Sequence, residues 1–91
     1  MTAYPWTNLH RPHPDEVVDW ICSRMAIARH DLVSASRCRV WNLPRRWCAY
    51  LLLTEAKVGT KEAGRVMNRS HQTIIWWARW YLEHCRKERL P

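Results

Sequence analysis

The segment from Thr60 to Trp80 constrains the fold more than any other stretch, because it has the pattern of two helices joined by a tight turn. Gly64 is a small residue that permits the close crossing of two helices. Asn68 tolerates the left-handed conformation that such a turn requires. Ile74 places an aliphatic side chain on the inner face of the second helix. This spacing is typical of a helix-turn-helix.

Two helices and a loop are predicted at the start of the chain. The first helix begins at Pro14, with acidic residues in its first turn, and runs to about Met25. A short second helix lies within residues 28–33. Residues 34–44 form a loop, because Pro44 biases the residue before it away from helix.

Pro44 then opens the third helix, which ends near Gly59, the predicted residue after its C-cap. Thr60 caps the fourth helix, and Ser70 caps the last, which runs to about Lys87. Helical spacing places two sets of apolar residues on inner faces. They are Trp47, Cys48, Leu51 and Leu52 in the third helix, and Ile74, Trp77, Ala78, Tyr81 and Cys85 in the last.

These patterns predict an all-α fold, a compact domain of about five helices that contains the helix-turn-helix at about residues 60–87. No segment alternates apolar and polar residues as a strand would. Residues 1–13 are an extended arm that contacts the core through Trp6 and Leu9, and residues 14–91 form one helical domain. A length of 91 residues suits one small core.

Charge and composition narrow the function classes. The formal net charge is +7, from 15 Lys and Arg against 8 Asp and Glu, which favours polyanionic partners. No apolar run is long enough to span a membrane, and the N-terminus lacks the apolar core of a signal peptide. We therefore expect a cytoplasmic, nucleoid-associated protein whose 4 cysteines are reduced.

The last helix concentrates hydrogen-bonding side chains in its first turn. A helix-turn-helix directs the N-terminal residues of its second helix at base edges in the major groove of DNA. His71, Gln72 and Thr73 occupy those positions; Gln can bond adenine in a bidentate way, and the Thr methyl can contact thymine. Ser70 and the first-turn N–H groups suit a phosphate.

The order of elements resembles the C-terminal DNA-binding domain (domain IV) of the bacterial replication initiator DnaA, over about residues 15–83. The segments that carry the resemblance are AIARHDLVSASRCR, PRRWCAYLL and TKEAGRVMNRSHQTIIWWAR. The last is similar to the family's signature. Two positions depart from it: Ser70 replaces an acidic residue, and Gln72 replaces a threonine. The resemblance therefore implies the mode of docking more firmly than the target sequence.

The resemblance also implies a set of DNA contacts. Base contacts fall on Ser70, His71, Gln72 and Thr73. Minor-groove contacts fall on Arg37 and Arg39, and phosphate contacts on Arg45, Arg46, Lys61 and Arg69. The family's ATPase module is not in this sequence, so we expect a sequence-specific, double-stranded DNA-binding protein. It would be a bacterial or prophage-derived transcription regulator, or an accessory factor that occludes initiator sites.

Metal binding and catalysis are less favoured by the sequence. No His and Cys spacing matches a structural zinc site, so no metal or other cofactor is expected. The segment Gly59–Arg65 resembles a phosphate-binding loop, but Arg65 and Val66 replace its Lys-Ser/Thr pair and no strand precedes it. We expect no enzymatic activity, no small-molecule substrate and no membrane partner.

Trp76 and Trp80 lie four residues apart on the outer face of the last helix. One interpretation is that they pack under the N-terminal arm with Trp6. The other is that they form an exposed patch for RNA polymerase, another regulatory protein or a second copy of the chain.

Overall fold

The fold is described from a computed structural model, which describes residues 4, 6, 11–35 and 39–84. Within those residues it contains helices and no strand, which confirms the predicted all-α class. The five α-helices are α1 (Pro14–Met25), α2 (Arg29–Leu32), α3 (Asn42–Thr54), α4 (Thr60–Met67) and α5 (His71–His84). A 3₁₀ turn, Arg39–Trp41, precedes α3.

Helix α1 begins at Pro14 and ends at Met25, as the sequence predicted. A capping box fixes its start: the His13 ring accepts from the Asp15 N–H at 3.1 Å, and the Glu16 carboxylate accepts from the His13 N–H at 2.9 Å. Arg29, at the start of α2, donates to Asp15 at 2.6 Å and thereby ties the two helices together.

Helix α3 is the centre of the fold, in contact with α1, α4 and α5. Its predicted apolar face is confirmed, because all four of its members are at most 2% exposed: Trp47, Cys48, Leu51 and Leu52. Val17 and Ile21 of α1 and Met67 of α4 are fully buried against the same core. The core is therefore built around one helix rather than between two layers.

Trp6 belongs to an aromatic cluster with Tyr4, Trp20 and Trp47. It is 5% exposed, its ring stacks on Tyr4 with centroids 5.2 Å apart, and it meets Trp20 edge-on at 5.7 Å. Its indole N–H donates to Glu55 at 3.0 Å. Trp6 thus packs on the core as expected, but beside α1 and the end of α3. Leu9 lies outside the described residues.

The predicted start of α3 was wrong by two residues. The segment 39–41 is a 3₁₀ turn rather than loop, and α3 begins at Asn42, with Pro44 as its third residue. Proline fits there because the first N–H groups of a helix have no intrahelical acceptor. Leu43, before the proline, is helical despite the bias of that position away from helix.

The connection between α3 and α4 also differs from the prediction. Gly59 was expected to follow the C-cap of α3, but it has φ −71° and is the N-cap of α4, so Thr60 is the first helical residue rather than the cap. Lys57 takes the left-handed conformation instead, with φ 56°. The predicted end of α5 near Lys87 lies outside the described residues. No helix among those described is both long and apolar enough to cross a bilayer.

Candidate nucleic-acid interface

Two residues set the angle between α4 and α5. Asn68 adopts φ 57° at the C-terminus of α4, as predicted. Gly64 is buried so tightly against the turn that a Cβ built on it would lie 2.5 Å from the backbone oxygen of Arg69. The glycine requirement is therefore steric. Ile74 is fully buried and anchors α5 on its inner side.

The first turn of α5 exposes a polar edge. Ser70 caps the helix, because its hydroxyl accepts from the Thr73 N–H at 3.3 Å and lies 3.1 Å from the Thr73 hydroxyl. Both hydroxyls are therefore engaged within the turn. His71 and Gln72 are exposed. Of the other two predicted base contacts, Ser70 is also exposed and Thr73 is half-buried.

A basic groove lies between α4 and the start of α5. Lys61, Arg65 and Arg69 contribute to its lining together with Ser70 and His71. Lys61 and Arg65 are exposed, and Arg65 also pairs with Glu62 one turn earlier. We call the exposed residues Lys61, Arg65, Ser70, His71 and Gln72 the polar face. Its charge and its position at a helix N-terminus suit an anionic partner.

Arg45, which was predicted to contact phosphate, is buried in the fold. Its side chain is 3% exposed, which leaves no surface for a phosphate. The guanidinium donates to the carbonyl oxygens of Leu32 and Asp31, both at 2.9 Å, and of Ser34 at 3.0 Å. The charge is used inside the fold, where it satisfies carbonyls at the end of α2.

Arg69 is also turned towards the protein. Its guanidinium donates to Val33 O at 3.3 Å and to the carbonyl oxygen of Ser34. It lies 5.4 Å from the ring centroid of Trp77, within cation–π range. The predicted phosphate contact of Arg69 would have to form beside these bonds.

Arg46 and Trp80 cover one another. The guanidinium carbon of Arg46 is 4.3 Å from the Trp80 ring centroid, and His84 stacks on the same indole at 4.7 Å. Trp76 is 59% exposed. The predicted tryptophan pair is thus divided, with one ring covered and one open. Trp6, beside which one interpretation placed both rings, contacts Trp20 of α1 and Glu55.

Arg39 is exposed at the start of the 3₁₀ turn. It lines a second groove with Asn42, Asn68, Arg69 and Trp77, so the structure brings it beside the turn of the helix-turn-helix. Arg37, the other predicted minor-groove residue, lies outside the described residues.

The thiols of Cys22 and Cys48 are free. Burial raises the pKa of both, and the fully buried Cys48 stays protonated at neutral pH. They act as small apolar side chains, whereas Cys38 and Cys85 lie outside the described part of the chain. Among the described residues no group of three His, Cys, Asp or Glu side chains is arranged to hold a metal ion.

Fold and site together define a class of protein: a small all-α domain built around a helix-turn-helix with a basic, polar face. Part of the chain is similar in sequence to two proteins, both chromosomal replication initiator protein DnaA, from two strains of Leptospira biflexa serovar Patoc. Each is 37% identical over 62 residues, which is 68% of this chain and 14% of the relative. The chain carries a DnaA C-terminal domain-like region.

The chain thus spans about one seventh of the length of these relatives. No family model matches the chain. No solved structure matches it either.

The sequence did not predict Arg65 as part of the polar face, and it missed two packing features of the site. The inward role of Arg45 is one, and the packing of Trp77 against Arg69 is the other. A signal for the first was available, because Arg45 lies two residues before buried Trp47 and three before Cys48, on the flank of the apolar stripe. A charged residue in that place indicates an internal partner.

Proposed function

We propose that this chain binds double-stranded DNA in a sequence-dependent manner, with α5 in the major groove. The exposure of His71 and Gln72 at the N-terminus of α5 carries the proposal, because a helix docked by its first turn presents such residues to base edges. The similarity of 62 residues to DnaA supports it. Thr73 would contribute its methyl group, since its hydroxyl is bonded to Ser70.

The phosphate contacts in this proposal come from the polar face. Lys61 and Arg65 are exposed on α4, on the side of the groove that also holds His71. Arg39 would enter the adjacent minor groove, where a narrow A·T tract attracts a guanidinium. Arg46 can add a contact only at the edge of its packing against Trp80.

In the cell this binding would serve a transcription regulator of bacterial or prophage origin, without enzymatic activity. An accessory role that occludes initiator sites is the nearest variant. Gln72 and Ser70 stand at positions where the DnaA family carries other residues, so we expect a site related to the DnaA box rather than identical to it.

Fluorescence anisotropy of labelled duplexes across a salt series tests the proposal. One duplex carries a DnaA-type box, one a scrambled box, and a random library is used for selection. We expect a selected site to bind at least about 10³-fold more tightly than a scrambled one at physiological salt. Equal affinity for all duplexes, with loss of binding as salt rises, would mean counterion release alone.

The exposed indole of Trp76 favours a second candidate function, binding of a regulatory protein such as RNA polymerase. An open tryptophan on a helix surface is a frequent centre of protein interfaces. Trp76 also lies one helical turn beyond Gln72, so the two functions compete for it. Trp76→Ala should leave folding intact. Retained DNA affinity with loss of a partner supports protein binding, whereas lost DNA affinity places the ring in the groove.

A further inference from the structure

The end of α2 is held by two arginines from different parts of the chain. Arg45, on α3, donates to carbonyls of residues 31, 32 and 34. Arg69, in the turn of the helix-turn-helix, donates to carbonyls of residues 33 and 34. Four consecutive carbonyls, from Asp31 to Ser34, are therefore satisfied by two guanidinium groups. We call Arg45, Arg69 and these four carbonyls the arginine clamp.

The clamp is reinforced on both sides. The amide of Asn68 reaches Val33 O at 3.5 Å, a long contact that places the left-handed residue of the turn against the end of α2. Trp77 of α5 lies under the Arg69 guanidinium at 5.4 Å, and Trp41 lies 5.4 Å from that of Arg45. The planar fork of arginine can satisfy several carbonyls while stacking on a ring, which an ammonium group cannot do.

The clamp joins the two parts of the surface that are proposed to meet DNA. Arg39 lies six residues before Arg45 and borders the same groove as Arg69 and Trp77. His71 lies two residues after Arg69, at the start of α5. The clamp thus ties the start of α3, which the 3₁₀ turn of Arg39 precedes, to the turn before His71, and its loss would change the separation between Arg39 and His71.

We propose that Arg45 and Arg69 are positioning residues for DNA recognition: they fix the spacing between the minor-groove side chain Arg39 and the major-groove residues of α5. Neither needs to contact phosphate for this role. The inference rests on the proposed DNA binding and adds to it a rigid distance between two contact regions. It reassigns two positions that the resemblance to DnaA would give to phosphate.

The test compares Arg69→Lys and Arg69→Ala with two controls. Lys61→Ala removes an exposed cation of the polar face, and Arg24→Lys makes the conservative change at an exposed site on α1. Each protein is titrated with the site selected by the wild type and with the same site carrying one extra base pair between its A·T end and its box. The extra pair increases the separation of the two contact regions along the duplex by about 3.4 Å. The affinity ratio of the two duplexes is the spacing penalty.

A positioning role predicts that both Arg69 variants lower the spacing penalty, by about tenfold, while the dependence of log affinity on log salt keeps its wild-type slope. Lys61→Ala should do the opposite, with a slope smaller by about 1 and an unchanged penalty.

Lysine binds phosphate well. If Arg69→Lys behaves as wild type while Arg69→Ala lowers the slope, Arg69 is a phosphate contact and the inference is wrong. Unchanged penalty and slope in both variants would also overturn it.

Hydrogen exchange in the free protein separates this inference from the proposed function. The amides of Val33 and Ser34 bond Arg29 O and Asp31 O at 3.2 and 3.3 Å. We expect them to exchange faster in Arg69→Lys and in Arg45→Lys, but not in Arg24→Lys. Unchanged exchange would show that no clamp holds this segment, whatever the DNA result. Faster exchange combined with sequence-independent binding by the wild type would instead reject the proposed function.

Discussion

The aromatic cluster and the polar face are built in opposite ways. The cluster joins residues far apart in the chain, since Trp6 and Trp47, which are at most 5% exposed, both contact the half-buried ring of Trp20. The polar face is assembled from residues 61–72, held by local turn geometry and left open to solvent. Stability and the proposed binding should thus depend on different residues, and substitutions should separate them.

Trp47→Ala should have the largest effect on stability. Trp47 is 2% exposed and contacts Trp20 at 5.2 Å and Tyr81 at 6.1 Å. Truncation of such a ring costs about 3–5 kcal/mol. Chemical denaturation measures the loss. The base preference of the fraction that remains folded should match the wild type, and an altered preference would show that the two regions are coupled.

Gly64→Ala tests where the two regions meet, because Gly64 is buried yet determines how the polar face is presented. The added methyl group would lie 2.5 Å from Arg69 O, a backbone atom that cannot turn aside. We expect a loss of about 2–3 kcal/mol from overpacking. Ala63→Gly, in the same helix, is the control, because it changes the size of a buried side chain without introducing a clash. A melting temperature equal to that of the wild type would mean that the turn can open.

Gln72→Ala should change binding without changing folding. The side chain is exposed, so thermal unfolding should match the wild type. Loss of a bidentate contact to adenine should cost about 1–3 kcal/mol on the best site and relax base preference there. A binding-site selection measures this effect. If wild type and variant select the same sequences, Gln72 does not read a base.

Ser70→Ala removes the side-chain cap of α5, the helix whose first turn carries His71 and Gln72. Loss of the bond to the Thr73 N–H should cost about 1 kcal/mol. Ser70→Asp keeps a cap and restores the acidic residue of the DnaA signature, so it should retain stability. A selection with Ser70→Asp would show whether this position also affects the preferred site.

Asp15, in the first turn of α1 and away from the polar face, should give the smallest effect. The Arg29 guanidinium, by its hydrogen bond and its charge, lowers the pKa of this exposed carboxyl. A lowered folded-state pKa contributes stability above the ordinary Asp pKa, and that contribution is lost as pH falls through the folded value. Asp15→Asn should therefore be less stable than wild type at neutral pH and equal to it in strong acid. A constant difference across this range would exclude the ion pair as the cause.

The sequence predicted well wherever a local rule and the apolar spacing agreed. The bounds of α1, the left-handed Asn68 and the close approach at Gly64 each depend on residues a few positions apart. The prediction for the connection between α3 and α4 was wrong, because Gly59 suggested a positive φ that Lys57 adopts instead. Glycine permits that conformation without requiring it.

Local pattern gave a signal for the inward role of Arg45 but none for the packing of Arg46 and Arg69. Arg45 and Arg46 are neighbours, but one is buried under the end of α2 and the other lies over Trp80. Consecutive helical residues point about 100° apart, so their environments are set by tertiary packing. The resemblance to DnaA gave both the same role, because it transfers residues by position and carries no information on this chain's packing.

The rings of the aromatic cluster continue into α5, and this gives the protein two separate optical signals. Tyr4, Trp6, Trp20, Trp47 and Tyr81 follow one another with centroids 5.2, 5.7, 5.2 and 6.1 Å apart. Rings this close exchange excitation and give strong near-ultraviolet circular dichroism that vanishes when the core opens. Trp76, 59% exposed, is open to quenching by acrylamide. Dichroism can thus follow the core while quenching follows contacts on α5, without any added label.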